Sequence, residues 1–139
     1  MQFTSELEFL LKEIDADFDP PLSSSLNLAE YAEKIYKNAT IFSVHEAGKL
    51  VASMAVYSND PNRQIAFGTM LAVAKSHRVY GLGPNLIKTT VDYLKKKSFK
   101  SFKLEIYKTN PRVINLYKRF KFNVVGETSS SVFVELVLV

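Results

Sequence analysis

The sequence predicts an α/β fold: a mixed sheet, part antiparallel meander and part parallel crossover, flanked by helices. Three observations predict it. Residues 5–14 and 27–38 carry apolar side chains at helical spacing. Residues 40–73 hold three β-favouring runs separated by two short turn-rich segments. A helical pattern, an alternating run, a second short helical pattern and two apolar runs then follow. The central strand–helix–strand piece of that series predicts a right-handed crossover with parallel pairing.

Each element has a local reason. "SELEFLLKEI" opens with Ser5 and Glu8 at capping-box spacing and puts Leu7, Leu10, Leu11 and Ile14 on one face. "DFDPPLSSS", residues 17–25, reads as a loop. Asn27 and Glu30 then predict a second N-terminal cap, and Leu28, Tyr31, Ala32 and Ile35 carry that helix to about Asn38. "TIFSVHE", "LVASMAVYS" and "QIAFGTMLAV" are the meander strands, divided by "AGK" and "NDPNR". Leu86, Ile87, Val91 and Leu94 mark the next helix. In "SFKLEIY", Phe102, Leu104 and Ile106 face one way and Lys103, Glu105 and Tyr107 the other. "NPRVINLYKRF" reads as a short helix with Val113, Ile114, Tyr117 and Phe120 inward. "NVVGE" and "VFVELVLV" complete the sheet, and so apolar a last strand could pair across a homodimer.

Composition narrows the function classes. At 139 residues the chain is one domain's worth of protein, with 47% apolar and 23% charged residues. It has no cysteine, which removes disulfides, thiolate metal sites and a cysteine nucleophile, and is compatible with a reducing cytoplasm, the expected location. "MQFTSELEFLLKEIDADFD" has neither a basic leader nor an unbroken apolar run, so no secretory signal and no membrane span is expected. His45 and His77 lack partners at ligand spacing, so no metal is expected. The net charge of +4 suits a phosphorylated cofactor, an acidic substrate or nucleic acid alike. The lysines of residues 95–103 read as a solvated helix end, which leaves a nucleic-acid binder the weakest reading.

The chemistry sits in "HRVYGLGPNLIK", residues 77–88. Two of only five glycines, Gly81 and Gly83, follow Arg78, and Pro84 comes next at the head of a helix. A helix start offers amide N–H groups without intrahelical partners and the positive end of a dipole, and a phosphate is held by both. Glycine lets an anion approach the main chain and permits turns that a Cβ forbids. Pro84 suits the first helical position, and Arg78 adds a charge beside the anion. The stretch reads as a pyrophosphate cradle. A tight turn without a ligand explains the two glycines alone equally well. Walker A is excluded by the missing Gly-Lys-Ser/Thr ending, and the dinucleotide fingerprint by a leucine where its third glycine belongs.

Arg78-Val-Tyr-Gly81-Leu-Gly83 resembles the R/Q-x-x-G-x-G/A signature of the GCN5-related N-acetyltransferases, the GNAT family. "LEIYKTNPRVINLYKRFKF" is similar to that family's second block, in the right order and on the right elements. The resemblance is strong over roughly residues 40–127 and implies a single acetyltransferase domain over 1–139 that uses acetyl coenzyme A. It implies that the backbone of Leu71, Ala72 and Val73 pairs with the pantetheine arm, and that Val79, Tyr80, Gly81, Leu82, Gly83 and Pro84 cradle the pyrophosphate beside Arg78. It also implies that Asn110 touches the pantetheine and that Tyr117 protonates the departing thiolate, for which a phenol near pKa 10 is suited. Asn110 equally suits an N-cap, and Tyr117 lies on the apolar stripe of its helix.

For the base, the resemblance offers Glu105, which occupies the glutamate of the L-E-V pattern and the position assigned to the base in the ribosomal-protein alanine acetyltransferases. A salt bridge to Lys103 is the alternative. "QIAFGTMLAV" holds no carboxylate. The chain departs from the family pattern in lacking the usual first strand, in bulky Val79 and Tyr80, in Pro84, and in Lys121 where a glycine generally closes the helix. A lysine there predicts a left-handed backbone. The expected function is therefore acetyl transfer to a primary amine by direct attack in a ternary complex. The acceptor amine belongs to an amino sugar, because the short layout and the "YSNDP" turn are similar to members associated with bacterial surface-sugar synthesis, or to a peptide or protein N-terminus. A coenzyme A-binding sensor or scaffold of the same fold is the alternative function.

Overall fold

The computed structural model describes residues 3–139. The chain runs α1 (Phe3–Ile14), α2 (Leu28–Asn38), β1 (Thr40–Glu46), β2 (Lys49–Tyr57), β3 (Ile65–Val73), α3 (Leu82–Lys96), β4 (Ser101–Tyr107), α4 (Pro111–Arg119), β5 (Asn123–Glu127) and β6 (Ser131–Val137). The six strands form one sheet in the order β1-β2-β3-β4-β6-β5. Neighbours are antiparallel except β3 and β4, which run parallel around the α3 crossover. Meander and crossover are both present, and the first strand of the described chain follows two helices.

Local chemistry sets most boundaries. The Asn27 side chain accepts the Glu30 N–H at 3.0 Å, the expected cap of α2. Asp60 closes the β2–β3 turn by accepting the N–H groups of Asn62, Gln64 and Ile65. The α1 cap is different from expectation: Ser5 is inside the helix, which begins at Phe3, and Glu8 pairs instead with Lys12 at 2.8 Å. A capping-box spacing one turn too late cannot cap, because the N–H groups it would satisfy already lie within the helix.

Helices cover both faces of the sheet. Leu7, Leu10, Leu11 and Ile14 of α1, with Ala32 and Ile35 of α2, pack on Val51 and Ala55 of β2 and Met70 and Ala72 of β3. On the other face Ile87 and Leu94 of α3 meet Met54, Val56 and Phe102, with Phe102, Phe122 and Tyr117 in edge-to-face contact. Residues 50–56 of β2 are all buried, which is why this strand reads as a continuous apolar run rather than an alternation. Each large side chain so buried contributes about 1.5–3 kcal/mol.

The last strand corrects an expectation. β6 lies between β4 and β5 and is hydrogen-bonded on both edges, so it has no free edge for a homodimer; the sheet ends instead on β1 and β5. Its apolar residues were those of an interior strand.

The feature that positions the site is a break in the middle of the sheet. β3 and β4 pair only from Ile65↔Ser101 to Gly68↔Leu104. At the next residue β3 carries a bulge: Ala55 of β2 opposes Met70 and Val56 opposes Gly68, leaving Thr69 without a partner. A bulge bends and twists its strand, and β3 leaves β4 at that point. Gly68 holds the two strands together just before they part. A Cβ there would lie 3.0 Å from Phe102 Cε1 and 3.2 Å from Leu104 Cδ2, so a larger residue would press on both side chains and glycine suits the close approach.

Candidate active site

Beyond Gly68 the parted strands enclose a cavity of about 310 Å³. It passes through the sheet. Leu104 and Ile106 line it from the α4 side together with Asn110, Val113 and Tyr117, while Glu105 and Tyr107 line it from the α1–α2 side together with Phe18, Leu22 and Tyr31. The alternation of "LEIY" puts Glu105 and Tyr117 on opposite sides of one opening.

The main chain of β3 forms one wall. The Ala74 N–H bonds back to Val51 O at 2.8 Å, so even-numbered positions at this end of β3 turn toward β2 and odd ones toward the opening. Thr69 O accepts from the Tyr31 hydroxyl at 2.7 Å, and Val73 O accepts from Arg78 Nε at 3.1 Å. Between them the N–H and C=O of Leu71 have no partner among the described residues. Ala72 bonds toward β2 and contributes to this edge only by its place in the strand.

The glycine segment is more structured than a simple turn. Residues Lys75–Tyr80 form a 3-10 helix, Gly81 follows at φ +71°, and α3 begins at Leu82. The left-handed Gly81 reverses the chain between two helices, which is the conformation that a Cβ disfavours. Pro84 therefore stands third in the helix, not first. Its missing N–H is still among those with no intrahelical partner, so the shift costs the helix nothing. Among the described residues no protein acceptor takes the N–H groups of Gly81, Leu82 or Gly83. Gly83 has ordinary backbone angles, and a Cβ would meet Val73 and Leu71 no closer than 3.9 Å, so the protein's own packing does not require a glycine there. Val79 and Tyr80, 85% and 65% exposed, turn outward and leave the helix start open.

Arg78 is placed differently from expectation. Its guanidinium pairs with Asp17 at 2.6 Å and with Val73 O, so the charge expected beside an anion is matched by a carboxylate. Burial would raise the Asp17 pKa, but the Arg78 hydrogen bond and the charges of Arg78 and Lys75 outweigh it and hold this carboxyl below the ordinary range. The 17–19 segment is thereby fastened at both ends of the opening: Asp17 to Arg78 after β3, and Asp19 O to the Thr109 hydroxyl after β4 at 2.6 Å. Phe18, between them, meets Tyr107 edge-to-face at 6.4 Å. Asp15, which accepts from Ser23 N and Oγ, braces the next turn of this strap.

The remaining side chains are brought to the same opening. Asn110 occupies the N-cap position of α4, but its side chain makes no capping bond and lines the cavity instead. Tyr117 is 3% exposed and packed on Phe122; burial pushes its phenol well above the ordinary value, so it stays protonated. Its hydroxyl has no hydrogen-bond partner among the described residues and is not sealed in the core. Glu105 does not pair with Lys103. Its Oε2 accepts from Ser131 Oγ, which also meets Thr128 Oγ1 at 2.9 Å, and Oε1 has no partner among the described residues. His45 and His77 pair with Glu6 and Glu46, away from the opening. Lys121 has the left-handed φ, +76°, that its position predicts.

The strap and the bulge leave no local mark in the sequence. "DFDPPLSSS" was legible as a loop, but nothing in it pairs Asp17 with a residue 61 positions away. The serine at 131, which holds Glu105, carried no signal at all.

Residues 7–122 match the model of a family described as the acetyltransferase (GNAT) family. No curated protein matches the chain. Among solved structures the fold is similar to the ribosomal-protein-S18-alanine N-acetyltransferase from Escherichia coli, with 19% identity, TM-score 0.76, and 99% of this chain and 90% of that one covered. It is similar to aminoglycoside 6'-acetyltransferase type Ii, with 12% identity, TM-score 0.81, and coverage of 98% and 90%. An aminoglycoside 6'-N-acetyltransferase complexed with coenzyme A gives 12% identity, TM-score 0.78, and coverage of 98% and 91%. At these identities the likeness is one of fold.

Proposed function

This chain belongs to the GNAT family of acetyltransferases, whose acetyl donor is acetyl coenzyme A, and from that premise we propose that it transfers acetyl to a primary amine by direct attack. One observation carries the reading. The sheet opens at Thr69 beside a bare main-chain edge at Leu71, and the opening runs toward a helix start whose N–H groups are free among the described residues. The donor supplies an activated acyl thioester. The residues present fit it: Leu71 N–H and C=O match an extended amide chain, the Gly81, Leu82 and Gly83 N–H groups match diphosphate oxygens, and the unpaired Asn110 side chain faces the pantetheine path. Arg78 serves as the fastening of the strap rather than as an anion ligand.

Glu105 and Tyr117 divide the proton transfers. The acceptor arrives as an ammonium and must lose a proton before its nitrogen can form the new C–N bond. Glu105, held by Ser131 with one oxygen free, takes that proton directly or through water. As the C–S bond breaks, the sulfur gains a proton, and the protonated Tyr117 hydroxyl donates it from the opposite side. The burial that raises the phenol would disfavour a thiolate in the same place as well, so the two acidities move in the same direction. Amino sugars and peptide or protein N-termini both present the required amine, and the lining of the acceptor side bears on the choice between them.

Thermal unfolding with coenzyme A, acetyl coenzyme A and NAD tests the binding half. At about a hundred times Kd a ligand adds about 2.7 kcal/mol, and both coenzyme A forms, but not NAD, are expected to raise Tm. Tyr117→Phe tests the chemistry: kcat is expected to fall about a hundredfold with coenzyme A affinity retained. Unchanged turnover removes Tyr117 from the mechanism, and retained binding without any turnover in the wild type leaves the sensor reading.

A further inference from the structure

We infer that the acceptor is an amine of single positive charge carried on an apolar group, with no anionic group beside it, so that an amino sugar or a free amino acid is a poor substrate. The inference rests on the acetyl-transfer reading above and concerns its acceptor end. Three observations lead to it.

The first is charge. Glu105 is the sole acidic or basic side chain of the Asp, Glu, Lys, Arg and His types lining the cavity among the described residues. A single carboxylate attracts one ammonium and offers nothing to neutralise a carboxylate or phosphate. Burying such an anion without a partner is costly.

The second is polarity. On the acceptor side the wall is mostly Leu11, Ile14, Phe18, Leu22, Leu26 and Met70, and besides Glu105 its polar side chains are Thr69 and the phenols Tyr31 and Tyr107. Tyr31, the phenol nearest to them in the chain, already bonds to Thr69 O at 2.7 Å and meets Thr69 Oγ1 at 2.8 Å. A sugar carries several hydroxyls, each of which loses hydrogen bonds to water on entering. This wall gives few in return, whereas an aliphatic or aromatic group gains from the transfer.

The third is size. The cavity of about 310 Å³ is lined from both faces of the sheet. On the acetyl-transfer reading that volume is shared with the thioester end of the donor, so the group beside the amine has less than the whole of it. The strap itself, fastened through Asp17 and Asp19, holds Phe18 and Leu22 over that space.

Two sources share this chemistry: a small alkyl or arylalkyl amine, and the N-terminus of a peptide whose first residue is apolar. The test measures thiol release from acetyl coenzyme A with phenethylamine, phenylalaninamide, free phenylalanine, glucosamine, and two peptides that differ only in beginning with Leu or with Asp. Phenethylamine or the Leu peptide is expected to exceed glucosamine and free phenylalanine in kcat/KM by at least about tenfold. Preference for phenethylamine identifies a small amine, and preference for the Leu peptide over both identifies a peptide N-terminus.

Binding supplies a readout that does not need turnover. Calorimetric titration of phenethylamine and glucosamine into the protein with coenzyme A present is expected to show binding of the first only. Phe18→Ser and Leu22→Ser, both half-buried positions, are each expected to narrow the margin between the two amines. Equal or better use or binding of glucosamine or of free phenylalanine overturns the inference. Turnover absent with every amine, while phenethylamine still binds, overturns the acetyl-transfer reading and leaves the character of the cavity supported.

Discussion

Lys121 shows how much backbone geometry a single residue type can foretell. A lysine where a helix-closing glycine belongs predicts a left-handed backbone, and φ is +76°. That conformation brings the side chain close to the following carbonyl oxygen. Lys121→Gly is expected to stabilise the protein by about 1 kcal/mol, read as a rise in the urea midpoint with an unchanged slope. Other residues were legible only as types. Asn110 reads equally as cap and contact because an asparagine before a proline suits both; the structure leaves its amide without a capping bond, which only the side-chain torsion decides. Tyr117 reads as core, and it is core by packing. What distinguishes it, a hydroxyl at the edge of an opening, depends on strands that part far away in sequence. Glu105 was found by its place in an alternating run, but its partner Ser131 comes from another strand 26 residues later.

At the scale of elements, sequence reading succeeded wherever the determinant is local. Periodicity gave the helices and strands, and the crossover followed from their order. It failed for the strap and for the last strand's place, since both are settled by contacts between distant segments. The strap yields a prediction of its own. Asp17→Asn removes the charge that fastens Arg78 while preserving the shape of the side chain. Because this pair is largely exposed, its strength is at most about 1 kcal/mol, and the expected result is a rise of about two- to fivefold in acceptor KM. Coenzyme A affinity is not expected to fall, because the variant frees a guanidinium near the start of α3. Steady-state kinetics with each substrate varied in turn makes the distinction; a loss confined to coenzyme A affinity contradicts the assignment of the strap to the acceptor.

For the molecule as a whole, two layers of helix on one sheet account for its ordinary composition, and among the described residues no helix is long and apolar enough to cross a membrane. Burial raises the pKa of both Tyr117 and Tyr31, the latter against an opposing hydrogen bond from Thr69. A raised folded-state pKa means that the unfolded chain releases these protons first. The stability they contribute is fully present below pH 10, where both states are protonated, and is lost above it. Each such phenol is expected to cost about 1.4 kcal/mol per pH unit above 10 until its folded form also ionises. Tyr117→Phe, already of use for kinetics, should flatten the alkaline limb of stability against pH, measured by denaturant unfolding at fixed ionic strength.

The sheet is really two three-stranded wings, β1-β2-β3 and β4-β6-β5, stitched over four residue pairs. Past the last stitch, the amides of Leu71 and Val73 face the gap with no neighbouring strand to shield them from deuterium. In the empty protein they are expected to exchange with solvent quickly, though they sit at the centre of the sheet rather than at its rim. If the donor's amide chain lies where a seventh strand would, it completes the ladder, and these two sites will slow sharply on adding coenzyme A while β1 and β5, the true margins, keep their original rates.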